Sequence, residues 1–321
     1  MKRKLNVSKW FLVCLLAAMI FTPLLADVAR AEVKASDFKR SMDLQTIGHL
    51  DFESAVKTAA DAGWPTVSLR IAKLEEYYKT GKTIDDAIAF LNQYKLTVPQ
   101  LGFFANWLNV KGQAQEDMLD RFRKFSATAK KLGNADMLLV TMGEGPQDTY
   151  DQALAVENFK KICEIAAADG NRVASEFLPY SPVKTVTQMW AIVKAANMPN
   201  GGIVLDPYHY FKGGSTLDGL RAVPIEKMFI VHTNDLPNST PDVDLATLTR
   251  NYRVMPGEGS FPNELLLKYL FDRGYSGYYI QEILNKDYAK EDPLKIAVQA
   301  RETLEKMLVD YAREHAKTVK K

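Results

Sequence analysis

Cysteine and histidine are scarce in this chain, with two Cys and four His in 321 residues. Cys14 sits in an apolar stretch near the N-terminus and Cys163 stands alone beyond it, so no intramolecular disulfide is available to the body of the chain. A true excess of positive charge is also lacking. The formal net charge is +2, but residues 1–31 hold five basic residues against one acid, and without them the remainder carries about −2. No basic patch with interleaved aromatics is left, which argues against a nucleic-acid partner. There is no Pro/Gly/Ser linker and no low-complexity block to mark a second domain. A single domain with an ordinary apolar core is therefore expected over 32–316, followed by a frayed basic tail over 317–321.

The first 31 residues read as a secretory signal peptide. Lys2, Arg3, Lys4 and Lys9 flank the apolar stretch 10–26, and Ala29-Arg30-Ala31 is a small-x-small cleavage site with the cut after Ala31. The alternative is an uncleaved membrane anchor, for which the stretch is short and interrupted by Pro23. Cys14 lacks the small residue before it that a lipoprotein needs. An exported protein, periplasmic or extracellular, follows from this reading, with no stable membrane association once the leader is removed. The oligomeric state is not readable, and a homo-oligomer is compatible with everything above.

What the body of the chain does have is alternation. Strand-like runs at 41–47, 66–71, 97–103, 135–141, 172–176, 202–206, 228–232 and 277–282 alternate with amphipathic stretches. The stretches between carry helix punctuation: Asp51 as an N-cap with Gly63 as the stop, Thr83 ahead of 84–94, Gly133 after a run containing Met118, Phe122, Phe125 and Ala129, a cap pair Ser215 and Asp218, and Pro262 and Pro293 in first turns. Eight βα units give an α/β fold, a (β/α)8 TIM barrel, with a doubly wound sheet as the runner-up.

Four metal-binding residue types recur at the ends of these runs. Glu176 follows 172–175, Asp206 follows 202–205, His232 follows 228–231 and Glu282 follows 277–281. In a parallel barrel all strand C-termini open on one face, so residues far apart in sequence can converge on one ion. Three oxygen ligands with one imidazole suit Mn²⁺ first, with Mg²⁺, Co²⁺ or Zn²⁺ as alternatives. Glu176 and Glu282 are acids within apolar strands and need a partner; pairing with Arg70 or Arg172 is the alternative to a cation. His49 and His209 also follow strands, and His209 is read as a second ligand, a substrate contact or a loop hydrogen-bonder. His315 falls in the terminal helix and is expected at the surface. Phe103, Phe104 and Trp107 are candidates for an apolar wall against a sugar face, with core or lid packing as the alternative. Glu144, Asn234 and Asp235 are placed to meet substrate hydroxyls.

The segments 176–180 (Glu-Phe-Leu-Pro-Tyr), 202–209 (Gly-Ile-Val-Leu-Asp-Pro-Tyr-His) and 253–259 (Arg-Val-Met-Pro-Gly-Glu-Gly) resemble the sugar phosphate isomerase/epimerase family. This is the xylose isomerase-like TIM-barrel group that includes ketose 3-epimerases and inosose dehydratases. The resemblance implies one divalent ion held by Glu176, Asp206, His232 and Glu282, with His209 and Arg253 on substrate oxygens; Trp107 and His49, from their places after strands, are taken as further substrate contacts. It also implies an enediolate mechanism in which the two glutamates act as acid and base, serving epimerisation, isomerisation or elimination alike.

The chain departs from the family pattern in places. Arg253 comes 21 residues after His232, beyond a stretch 236–251 that could close over the site. No second Asp/His cluster supports a two-metal isomerase, and four histidines do not make the multi-zinc site of the nuclease relatives. With no Gly-rich anion cradle and no Lys/Arg cluster at a strand end, an unphosphorylated saccharide is the expected substrate. The competing function is an exported carbohydrate-binding protein that keeps the barrel and has lost turnover.

Overall fold

The computed structural model describes residues 33–133, 137–144 and 149–318. The leader expected over 1–31 lies outside the described residues, as do the start of the run expected at 135–141 and the last three tail positions. Eight parallel strands close into one barrel: β1 (Lys39–Asp43), β2 (Val67–Arg70), β3 (Gln100–Phe104), β4 (Leu138–Met142), β5 (Arg172–Glu176), β6 (Gly201–Leu205), β7 (Met228–Thr233) and β8 (Tyr278–Gln281). β8 pairs with β1 to complete the ring, so no edge strand remains. No helix among the described residues is long and apolar enough to cross a membrane.

The strands are short and buried, β6 and β7 along their whole length, as expected where helices cover one face and the barrel interior the other. Two apolar clusters result. Leu138, Val140, Ala174, Val204, Phe229, Ile230 and Ile280 fill the barrel, while a much larger cluster lies between the barrel and the helices.

Local chemistry sets the helix starts. Asp51 accepts a hydrogen bond from Ser54 N at 2.8 Å to open Phe52–Asp61, and Thr83 with Asp86 forms a reciprocal capping box ahead of Ile84–Gln93. Pro293 opens the last helix, which runs to Thr318, so Lys317 is helical rather than frayed. The expected cap pair of Ser215 and Asp218 does not form. Thr216 takes the cap, accepting from Gly219 N at 3.1 Å, because the Ser215 hydroxyl already accepts Val186 N from the neighbouring helix start.

Two strand boundaries also move. The run 41–47 ends as a strand at Asp43, whose carboxylate accepts Gln45 N and turns Leu44–Ile47 into a 3-10 segment. The run 97–103 begins its regular ladder only at Gln100, after Pro99, which has no N–H to give.

Gly202 in β6 shows how tightly the barrel wall is closed. A Cβ there would lie 2.6 Å from the Phe229 ring and 2.7 Å from the Lys227 carbonyl. Phe229 cannot swing away freely, since the Arg172 guanidinium stacks on it at 3.6 Å. Gly202→Ala is expected to destabilise the fold by about 1–3 kcal/mol through overpacking. A urea midpoint equal to that of the unsubstituted chain would show the wall to be looser than described.

Candidate metal centre

Successive side chains on a strand point to opposite faces, so a residue two positions beyond an interior residue also faces inward. Ala174, Val204, Ile230 and Ile280 all belong to the interior cluster. Glu176, Asp206, His232 and Glu282 each come two positions later, and they turn inward together at the C-terminal mouth of the barrel. One ligand atom from each lies within 4.8 Å of the others. All four side chains are buried.

His232 Nδ1 is the hub. It lies 3.0 Å from Glu176 Oε1, 3.4 Å from Asp206 Oδ2 and 3.5 Å from Glu282 Oε2. Its other nitrogen, Nε2, is 3.3 Å from Gln100 Oε1. An amide oxygen only accepts, so Nε2 donates to it, and Nδ1 is the nitrogen turned toward the carboxylates. Burial opposes charge on these residues, yet Glu282 and Glu176 hold His232 well above the ordinary imidazole range. Burial is likewise overcome at Asp206, held well below the carboxylate range by Arg253 and His232, and at Glu282, lowered by His232, Arg253 and Arg70. A buried nitrogen facing three ionised carboxylates is a place built for positive charge. The donor set of three oxygens and one imidazole fits a single divalent cation.

Gln100 is a positioning residue that the sequence reading missed. Gln100→Leu is expected to weaken divalent-metal affinity about 10- to 100-fold, the usual cost of losing a partner behind a metal-binding histidine. Titration with Mn²⁺ under native conditions checks this, and an unchanged affinity would remove Gln100 from the account.

The surroundings of the quartet divide into holders and wall. Arg253, fully buried, donates from Nη1 to Asp206 Oδ2 at 3.0 Å and Glu282 Oε2 at 2.7 Å, while Thr249 Oγ1 accepts from its Nε at 2.9 Å. Asn234 Nδ2 donates to Asp206 Oδ2 at 2.9 Å. Arg70 Nη2 donates to Glu282 Oε1. The alternative pairing for Glu282 is thus present alongside the quartet, one carboxylate oxygen on each side. Glu176 differs: Oε1 faces His232, and Oε2 has no hydrogen-bond partner among the described residues. The Arg172 guanidinium stacks on Phe229.

A cavity of about 230 Å³ opens over the quartet, lined by Glu176, Glu282, His209 and Arg253 together with Arg70, Phe103, Tyr180 and Arg250. A larger groove of about 530 Å³ lies between 256–264 and the last helix, and none of the four ligand residues lines it. His209 reaches the cavity with Nε2 3.3 Å from Arg253 Nη2 and 3.8 Å from Glu176 Oε1. Burial lowers its pKa, so the ring is neutral; Arg253 donates to Nε2, which leaves the hydrogen on Nδ1, a buried atom without a partner.

Several expected contacts are not brought to this site. Trp107 is wholly buried, donates its indole N–H to the Met142 carbonyl at 2.7 Å and packs on Phe159, so it is core and not a sugar-facing wall. Phe104 likewise packs on Phe122 and Phe125, leaving Phe103 alone on the cavity. His49 sits in an exposed turn and does not line the cavity. Asn234 and Asp235 are buried rather than free to meet hydroxyls. Asp235 accepts from the backbone N–H groups of Leu236, Gly257 and Phe261 and pins the loop that follows β7. Glu144 stands beside Arg250, 3.9 Å from its Nη2. The stretch 236–251 includes the helix Leu245–Asn251, which supplies Thr249 and Arg250 to the cavity. Arg70, which ends β2, lines the cavity with Arg250 and Arg253, which lie three positions apart after β7.

Residues 56–307 match the model of the xylose isomerase-like TIM barrel family. The chain is 30% identical over 249 residues to an inosose isomerase of Halalkalibacterium halodurans, covering 73% of this chain and 84% of that protein. It is also 30% identical over 167 residues to a 3-dehydroshikimate dehydratase of Pseudomonas aeruginosa, a match spanning 52% of this chain and 26% of that protein. Among solved structures, the IolI protein with a bound zinc atom superposes with a TM-score of 0.76 at 23% identity, covering 85% of this chain and 99% of that one.

Proposed function

Because the chain belongs to the xylose isomerase-like TIM barrel family, we propose that it is a divalent-metal-dependent isomerase, epimerase or dehydratase acting on a polyhydroxylated ketone, a keto-sugar or cyclitol. The observation that carries this reading is the convergence of Glu176, Asp206, His232 and Glu282 within 4.8 Å, with Glu176 and Glu282 also lining the substrate-sized cavity. The relatives named above act, by their names, on a cyclitol ketone and on a cyclic keto acid. The N-terminal sequence 1–31 supports placing this chemistry outside the cytoplasm.

A divalent ion held by the four residues supplies Lewis-acid polarisation of the substrate carbonyl. The chain supplies the rest. Glu176, with Oε2 unengaged, takes the proton from the carbon next to that carbonyl. Glu282 is held on both oxygens by Arg70 and Arg253, so it is ionised in the resting site and returns a proton to the substrate only after taking one up from solvent. The His209 ring lines the cavity, and Phe103 and Tyr180 bound it beside that ring.

Incubating the Mn²⁺-loaded chain with an inosose in D₂O, watched by NMR, tests the reading. Deuterium entering the carbon next to the carbonyl supports it. A chain that binds metal and sugar but exchanges nothing is a binding protein.

A further inference from the structure

We infer that a buried water site lies beneath the quartet, between β1, β2 and β3, and that Asp43, which holds it, is a positioning residue for His232 and Glu282; the role rests on the metal-dependent reading above. Asp43 ends β1, is wholly buried and does not line the cavity. Its Oδ1 accepts Gln45 N at 2.7 Å and lies 3.4 Å from Arg70 Nε, and Arg70 carries the contact onward by donating from Nη2 to Glu282 Oε1. On the other side, Gln100 Oε1 accepts from His232 Nε2. Each of these three residues leaves one buried polar atom without a hydrogen-bond partner among the described residues: Asp43 Oδ2, Arg70 Nε and Gln100 Nε2.

Strand register brings the three together. Asp43 pairs with Ser68 and Leu69 with Leu101, which sets Asp43, Ser68 and Gln100 in one row across adjacent strands, and Arg70 pairs with Gly102 one step nearer the mouth. Ser41, two positions before Asp43, pairs with the interior residue Ile280, so the row faces into the barrel. A Cβ on Gly102 would stand 3.7 Å from Gln100 Nε2, so that atom reaches the level of Arg70. The hydroxyl between them, Ser68 Oγ, is turned to Ser41 Oγ at 3.1 Å. Two of the three atoms donate and one accepts. A water matches that set, accepting from Arg70 Nε and Gln100 Nε2 and donating to Asp43 Oδ2, and buried polar groups left over by the chain are commonly met in this way. The water joins the two arms into one network running from His232 through Gln100 to Asp43 and Arg70, and so to Glu282. Ligands from β7 and β8 are then fixed against each other by side chains from β1 to β3, and partners behind the ligands set how well an ion is held.

A high-resolution crystal structure of the unsubstituted chain tests the site, and it does so whether or not any variant folds. An ordered water within hydrogen-bond distance of Asp43 Oδ2, Arg70 Nε and Gln100 Nε2 is expected. Direct pairing of Asp43 Oδ2 with Gln100 Nε2, or no water among the three atoms, overturns the site. Mn²⁺ titration of Asp43→Asn, Gln100→Leu and the double variant tests the positioning role. Each single substitution is expected to weaken Mn²⁺ affinity about 10- to 100-fold. The double variant should be about as weak as the weaker single, because both changes break one network, whereas independent effects would multiply. Unchanged affinity in Asp43→Asn, or losses that multiply in the double variant, overturns the role. An unsubstituted chain that takes up no Mn²⁺ overturns the metal-dependent reading and the role with it, while the crystal structure still decides the water site.

Discussion

Glu176→Gln is expected to cut turnover about 10²- to 10⁴-fold, the range for losing a general acid or base, while the chain stays folded and keeps divalent metal better than it keeps activity. The reasoning is geometric. Glutamine preserves an oxygen that can face His232 Nδ1, now 3.0 Å away, but removes the proton-accepting charge on the one carboxylate oxygen of the pair that nothing else holds. Glu282→Gln should follow the same pattern with a smaller loss of turnover, because Arg70 and Arg253 already occupy both of its oxygens. Turnover is read as deuterium entering an inosose, and metal content by elemental analysis of the same samples. Unchanged turnover in Glu176→Gln would remove the acid/base assignment. A larger loss at Glu282 would reverse the asymmetry argued for the pair.

The second large effect concerns stability. Arg253→Met is expected to destabilise the metal-free chain by about 3–5 kcal/mol, the cost of leaving a buried ionic group without its partner. Arg253 Nη1 lies 3.0 Å from Asp206 Oδ2 and 2.7 Å from Glu282 Oε2, and all three side chains are buried. The same two carboxylates belong to the metal quartet. A divalent ion therefore offsets the loss, and adding Mn²⁺ should recover much of the stability beyond the ordinary gain from ligand binding. Urea unfolding with and without Mn²⁺ measures both terms. An equal deficit in the presence and absence of metal would mean that Arg253 acts through its packing on Tyr208 and Thr249 and not through the carboxylates.

The quartet was legible in the sequence because it depends on only two regular features, strand alternation and the common direction of parallel strands. Neither requires knowing which helix packs where. Arg70 obeys the same rule, ending β2 as Glu176 ends β5, but its engagement with Glu282 spans 212 positions and is set by the closure of β1 onto β8 and β2. Gln100 was hidden for another reason. It is the first residue of β3, away from the C-terminal strand ends, and it meets His232 only because β3 and β7 stand opposite one another in the closed barrel. Trp107 was misplaced because a large aromatic just past a strand can fold outward under the helix layer as easily as inward. Here the Met142 carbonyl and the Phe159 ring draw it to the core. The meeting of Arg70 with Arg250 and Arg253 was invisible along the chain, since Arg70 lies far from the other two in sequence and shares the cavity with them only in the folded barrel.

Metal analysis bears most directly on the central claim. Equilibrium binding of Mn²⁺ to the purified chain at neutral pH, repeated with His232→Ala, sets the quartet against its absence. The account predicts a single site per chain that the substitution abolishes. A chain that binds no divalent metal under native conditions, or binds it as well without His232, would contradict it.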